Sequence, residues 1–182
     1  LYTSLLVLPV PFEPVHLLFI NLLTDSLPAL AIGMEPPEKD LLSDRPRDPS
    51  EGILTGDFIR SVFVQGFLIA AGTMSAYQMG MQTSPAAAAT MAFSTLTLAR
   101  LFHGFNCRSR HSVFHIGFRR NLYSAGAFFA GVLLLGIVLF VPFFREVFQV
   151  VPLDGSQILA VAGLALAPTV LIQGYKVLRF DR

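Results

Sequence analysis

The sequence predicts an all-α fold, a polytopic bundle of transmembrane helices. Hydrophobic residues make up 53% of the 182 residues and charged residues 14%, whereas soluble domains average about 45–50% and about 25%. The mean hydropathy is +0.62. A soluble core of this size cannot hide that much apolar surface, so we expect the lipid bilayer to be a partner of this chain.

The same composition argues against several other classes of protein. One cysteine allows no intrachain disulfide, which excludes a disulfide-stapled scaffold. A net charge of +1 gives no electrostatic signal for nucleic acid, and we expect no nucleic-acid partner. The sequence contains no nucleophile triad, zinc motif or glycine-rich phosphate loop, so it predicts no catalytic and no cofactor-binding residue.

A membrane-spanning helix needs about 20 mostly apolar residues. Residues 1–8 are apolar but too short to span and lack an initiator Met, so we expect them to be the end of a truncated span. The span 15–34 is apolar apart from a short polar island, and the span 57–81 follows a break at Thr55-Gly56.

Three further spans follow in the second half of the chain. The span 86–106 is rich in Ala, Thr and Leu, the span 121–144 is the most hydrophobic, and the span 157–175 closes the chain. The prediction is therefore five complete spans plus one truncated span.

Residues 35–56 differ from the spans and predict a cytoplasmic loop. They hold acids, bases and four prolines, which favours an ordered, extended connection. The basic residues of the chain concentrate in this loop, in residues 107–120 and in the C-terminal tail. By the positive-inside rule these three segments, including the C-terminus, face the cytoplasm.

The polar island in the span 15–34 is a candidate cation site. Asn21, Thr24 and Asp25 share one helix face by their spacing, and Pro28 cannot donate to the carbonyl of Thr24, so we expect a kink or unwinding between Thr24 and Pro28. Amide, hydroxyl and carboxylate oxygens are the ligands that calcium and related cations prefer, and broken membrane helices often create ion sites. The alternative is an interhelical hydrogen-bond cluster with an ordinary proline kink.

Arg100 is the second polar feature inside a predicted span. Thr90, Ser94, Thr97 and Arg100 follow one another at spacings of 4, 3 and 3, which draws a polar stripe along one helix face. Such a stripe is expected to face the bundle interior, where Arg100 would neutralise Asp25 or occupy an ion position. The alternative is an arginine whose long stem lets it reach the cytoplasmic headgroups.

Several motifs resemble those of P-type cation ATPases of the calcium-pump branch. Residues 21–38 (NLLTDSLPALAIGMEPPE) resemble the sixth membrane helix of that family. Residues 44–47 (DRPR) and 53–56 (ILTG) resemble the cytoplasmic loop after it. Residues 90–94 (TMAFS), continuing to Phe105-Asn106, resemble the eighth helix and its end. The remainder fits the ninth and tenth helices by hydropathy and length.

The resemblance implies roles for individual residues. Asn21, Thr24 and Asp25 match the family's cation-liganding positions on the sixth helix. Arg100 stands where two-site calcium pumps carry a glutamate ligand. A guanidinium is always charged and cannot ligate a cation, so the resemblance points to a bacterial-type pump with a single calcium site, in which Arg100 balances charge.

The resemblance also implies what lies elsewhere. The family's phosphorylated Asp-Lys-Thr-Gly motif, its nucleotide-binding domain and the ligands of its fourth and fifth helices are not in this sequence. We therefore expect the missing N-terminal half of the same pump as a partner, with ATP and magnesium used there, and we expect this fragment alone to be inactive.

The expected function is the membrane part of an ATP-driven calcium transporter in a bacterial plasma membrane. Two alternatives stay open at this point. One is a pump for another cation, such as sodium or manganese, because one helix does not fix selectivity. The other is a non-catalytic membrane scaffold or regulatory fragment.

Overall fold

Helices account for the regular structure of the residues that the computed structural model describes, which are 2–36, 52, 54–109, 111–117 and 120–180. No strand occurs among those residues. The all-α prediction is therefore confirmed over the described ranges. Most of the predicted cytoplasmic loop, residues 37–51 and 53, lies outside them.

The first quarter of the chain forms short helical pieces. They are helix α1 (Tyr2–Leu5), helix α2 (Pro14–Phe19), a π-helical segment (Ile20–Thr24) and helix α3 (Ser26–Gly33). Glu13 begins α2 with reciprocal capping bonds to His16, so the entry to this stretch is fixed by its own side chains.

Two long helices follow, and each begins at a hydroxyl cap. Helix α4 (Gly56–Met81) starts after Thr55, whose hydroxyl accepts from the N–H of Phe58 at 3.3 Å. Helix α5 (Pro85–Asn106) starts after Ser84, whose hydroxyl accepts from the N–H of Ala87 at 3.1 Å. A proline in the first turn of α5 loses no helical bond there.

The last third contains helices α6 (Val113–Ile116), α7 (Leu122–Phe140), α8 (Pro142–Phe148) and α9 (Gly155–Phe180). The predicted span 121–144 covers α7 and the start of α8. The helix ends at Phe140 because Pro142 has no N–H to continue it. Arg145 of α8 donates to the carbonyls of Leu139 and Phe140 at 2.6 and 3.1 Å and so satisfies the exposed end of α7.

Helix α5 lies at the centre of the bundle. It packs against α3, α4, α7 and α9, and twelve of its residues are buried. At Gly80 of α4 the backbones approach so closely that a Cβ atom would lie 2.5 Å from the Cα of Ala88. Glycine and alanine here allow the tight helix contact that membrane bundles use.

The outer helices present apolar side chains to their surroundings. Phe63 and Phe67 of α4, Phe129 of α7 and Leu159 of α9 are each at least 68% exposed. Large exposed apolar surfaces mark contact with lipid or other protein.

Within the described ranges, four segments are long and apolar enough to cross a membrane: Pro14–Gly33, Gly56–Met81, Leu122–Phe140 and Gly155–Arg179. Helix α5 has the length of a span but carries the polar stripe, and a helix enclosed by other helices needs no apolar surface for lipid. The count of five complete spans and one truncated span stays a prediction.

Candidate cation-binding site

The polar island coincides with a change of helix type. The N–H of Asp25 donates to the carbonyl of Ile20 at 3.0 Å, which is the i→i+5 bond of a π-helix. The α-helix resumes with the N–H of Ala29 donating to the carbonyl of Asp25 at 3.1 Å. Isolated π-helical turns occur often at functional sites.

The irregular turn lies earlier than the sequence predicts. We expected it between Thr24 and Pro28, and the structure has it at Ile20–Thr24. Pro28 lies in the first turn of α3, where an N–H has no partner within the helix, so the ring there breaks no bond. The interruption therefore lies just before the carboxylate of Asp25.

Asp25 and Arg100 form an ion pair between two helices. Oδ2 of Asp25 lies 2.8 Å from Nη2 of Arg100, and the two side chains are 34% and 39% exposed. The guanidinium thus lies against the carboxylate, and the charge-balancing role of Arg100 stays a prediction. Because charges within a membrane span are costly, a carboxylate paired in this way is a candidate functional position.

The other two predicted ligands lie on the same interrupted segment. Asn21 is in the π-helical segment, and its side chain is exposed. Thr24 ends that segment, and the position of its side chain lies outside the described part of the structure. The structure thus places Asn21 and Asp25 on the irregular turn and leaves one side of that turn open.

The polar stripe of α5 is buried over most of its length. The hydroxyls of Thr90 and Ser94 donate to the carbonyls of Ala86 and Thr90 at 2.8 and 2.7 Å. Thr97 is fully buried, and Arg100 continues the same face to Asp25. The stripe therefore faces the bundle interior, as its spacing predicts.

A second polar cluster lies at the far end of α3, and no motif in the sequence predicts it. Arg108 donates to both carboxylate oxygens of Glu35, at 2.9 and 2.8 Å. Asn121 donates to Glu35 at 2.7 Å and to the carbonyl of Ala31 at 2.8 Å. The hydrogen bonds from Arg108, together with that from Asn121, hold the pKa of Glu35 below its usual value.

A third network joins the end of α5 to α9. Lys176 is buried and donates to the carbonyls of Asn106 and Ser109, each at 2.5 Å. Gln173 donates to the side chain of Asn106 at 2.6 Å and accepts from the N–H of Val113 at 2.9 Å. These bonds anchor the helix that carries Arg100.

The oxygen-bearing side chains of this turn, together with Arg100, form a candidate site for a cation. Asn21 and Asp25 offer hard oxygen donors, and Arg100 offers a positive charge that competes for the same carboxylate. The described residues contain no group of three or more His, Cys, Asp or Glu side chains placed to hold a metal.

Comparison with known proteins gives a consistent result. A family model described as "Cation transporting ATPase, C-terminus" matches residues 9–178. The chain is 39% identical over 96% of its length to a calcium-transporting ATPase of Bacillus subtilis. It is 42% identical over 93% of its length to one of Listeria monocytogenes, and 32% identical over 90% to the human calcium-transporting ATPase type 2C member 2. It spans 20%, 19% and 18% of these three relatives.

Proposed function

We propose that this chain, which belongs to the C-terminal family of P-type cation-transporting ATPases of the calcium-pump type, is the membrane part of an ATP-driven calcium transporter. The observation that carries the proposal is the ion pair between Asp25 and Arg100 beside a π-helical turn within a candidate membrane span. A carboxylate at an interrupted membrane helix is a typical ion-binding position.

Asn21, Thr24 and Asp25 supply the cation ligands of this chain in our proposal. The π-helical segment leaves Asn21 exposed and Asp25 partly exposed on one side of the bundle. That open side is where ligands from the rest of the pump approach and complete the coordination. Calcium takes six to eight oxygen ligands, which is more than these residues provide.

Arg100 makes the site a single-calcium site. Its guanidinium is paired with the carboxylate of Asp25 in this structure, so a calcium ion must displace the guanidinium to bind that carboxylate. When the ion leaves, Arg100 returns, and the carboxylate is not left as an unpaired charge inside the membrane. A fixed positive charge at this position also repels a second divalent ion.

The remaining functions belong to the rest of a longer protein. The relatives are about five times the length of this chain, as the 20% coverage gives. ATP hydrolysis, with its magnesium, takes place in cytoplasmic domains outside this sequence, and this chain alone is inactive. In our proposal the pump lies in a bacterial plasma membrane, with residues 35–56 and the C-terminus in the cytoplasm.

The test is the ATPase activity of the complete protein containing this chain, measured with calcium, manganese and sodium in turn. We expect activation by micromolar calcium and loss of that activation in the Asp25→Asn variant. If manganese or sodium activates the ATPase and calcium does not, the activating cation is the transported ion and the calcium assignment is wrong. An absence of any cation-dependent ATPase activity would favour the scaffold alternative.

A further inference from the structure

The cluster of Glu35, Arg108 and Asn121 joins three helix ends at one point. Glu35 follows α3, Arg108 follows α5, and Asn121 precedes α7. The guanidinium of Arg108 is fully buried, and its two bonds to Glu35 form a fork, a geometry that fixes direction as well as distance. We call these three residues the latch.

The latch holds the end of α3, the helix that begins directly after Asp25. Nδ2 of Asn121 donates to the carbonyl of Ala31 in the last turn of α3 as well as to Glu35. Its Oδ1 accepts from the N–H of Ser124 at 3.2 Å and so caps α7. One side chain therefore binds the end of α3 to the start of α7.

The two ends of α3 are held differently. At the start, the ion pair of Asp25 is partly exposed and lies next to the π-helical segment. At the end, Arg108 and Asn121 are buried and Glu35 is partly buried, and the fork leaves Arg108 little freedom. A movement that begins at Asp25 therefore meets a firm connection at Glu35, directly before the loop that begins there.

Stability alone is a weak reason for such a cluster. Burying an ion pair costs desolvation free energy, and the attraction between the two charges often does no more than offset that cost. Among the described residues, Nη1 of Arg108 is buried without an acceptor, which adds to that cost. What the cluster supplies instead is a fixed geometry between three helices.

We propose that Arg108 and Asn121 are positioning residues of the pump, which hold Glu35 and the last turn of α3 so that cation binding at Asp25 is transmitted to the cytoplasmic side. The inference rests on the proposed function and adds to it the residues through which the site acts. They touch neither the cation nor the nucleotide.

The test uses two variants of the complete protein that keep the local fold. Asn121→Ser retains a good helix cap but removes the amide that reaches Ala31 and Glu35. Arg108→Lys retains the charge but cannot form the fork. The matched controls are Thr55→Ser, a cap exchange at α4, and Arg145→Lys, which exchanges the α8 guanidinium that bonds the last carbonyls of α7.

We expect each latch variant to slow calcium-activated phosphorylation from ATP about fivefold, within the range of coupling changes seen for residues that contact no ligand. The calcium concentration for half-maximal binding should change less than about twofold, since the ligands are intact. Both controls should behave as the unmodified protein. A structural role alone would move binding and phosphorylation together.

Unchanged phosphorylation in folded Asn121→Ser and Arg108→Lys proteins would overturn the inference. So would a loss of calcium affinity as large as the loss of rate. A response of the unmodified protein to manganese and not to calcium would contradict the proposed ion but not the latch. The latch variants are then compared in the same way, by manganese affinity and manganese-activated phosphorylation.

Discussion

At Asp25 a carboxylate, a guanidinium and the end of a π-helical segment meet within one candidate span. Each feature alone has an ordinary explanation, since helices kink and arginines pair with carboxylates. Their coincidence is informative because a charged pair is costly inside a membrane and is therefore a functional hypothesis by default. The pair also sets a condition on any cation, which must bind Asp25 more favourably than Arg100 does.

The Asp25→Asn variant of the complete protein tests the carboxylate directly. Asparagine keeps the size of the side chain but removes the charge that a hard cation requires. We expect loss of calcium-activated phosphorylation from ATP, with phosphorylation by inorganic phosphate retained, because that back-reaction does not need the ion. Asn21→Ala should act in the same direction and less strongly, as it removes a neutral ligand. Normal calcium activation in Asp25→Asn would mean that this residue only supports the structure.

The Arg100→Ala variant tests the charge-balancing role. Without the guanidinium, the carboxylate of Asp25 is unpaired whenever the cation is absent, so the steps without bound ion become unfavourable. We expect the turnover rate to fall about tenfold or more, which corresponds to roughly 1.4 kcal/mol, and calcium affinity to change less. Steady-state ATPase assays over a calcium titration separate the two effects. The control is Arg145→Ala, which removes a guanidinium bonded to the carbonyls of Leu139 and Phe140. Unchanged turnover in Arg100→Ala would favour the alternative in which the arginine side chain reaches the lipid headgroups.

At the scale of the element, the irregular turn of the span 15–34 could be predicted from the sequence only in part. Pro28 led to the expectation of an irregular helix, and the span is irregular, although the proline ring itself breaks no bond in α3. The position of the irregular turn was missed, since Pro28 lies where a helix needs no N–H. A π-helical turn has no comparable residue signature, so only the backbone bond from Asp25 to Ile20 reveals it.

The contacts of the latch could not be predicted from the sequence. Asn121 is recognisable as a helix cap from its place before an apolar run. Nothing in the sequence says that its amide also reaches Ala31, or that Glu35 meets Arg108, because these partners are distant along the chain and are brought together by helix packing. The stripe of α5, by contrast, was predictable, since its spacing is a property of one helix.

Deletion of Leu22 in the complete protein tests the π-helical segment. Removing one residue restores α-helical bonding, and with 3.6 residues per turn it rotates Asn21 by about 100° relative to Asp25. We expect calcium affinity to fall at least about tenfold, as expected when ligands leave the required geometry. Leu22→Ala is the matched control, because this side chain is 61% exposed and its truncation leaves the backbone unchanged. Equal calcium affinity in the deletion and in the control would show that the π-helical turn has no part in binding.

At the scale of the whole molecule, the described bundle has one enclosed helix and several outward-facing ones. Helix α5 packs against four others, while α4 exposes a row of phenylalanines. This arrangement explains why a helix of span length, α5, is more polar than its neighbours. It also leaves apolar surfaces for lipid and for the rest of a longer protein.

The orientation of the bundle is testable by cysteine labelling of intact cells. In a complete protein from which Cys107 and every other native cysteine has been removed, we expect single cysteines at Ser50 and at Arg182, both outside the described residues, to react only when a membrane-permeant reagent is used. A cysteine at Asp154, in the exposed turn before α9, should react with an impermeant reagent. The basic residues near the first two positions give the physical reason. Labelling of the Ser50 position from outside would reverse the topology.

The measurement that tests the central claim most directly is the equilibrium binding of radioactive calcium to the complete protein, counted against the number of phosphorylatable molecules. Because Arg100 already supplies one positive charge to the carboxylate of Asp25, we predict one calcium ion per phosphorylatable molecule and none in the Asp25→Asn variant. Two calcium ions per molecule, or an unchanged count in Asp25→Asn, would contradict a single calcium site built on Asp25 and Arg100.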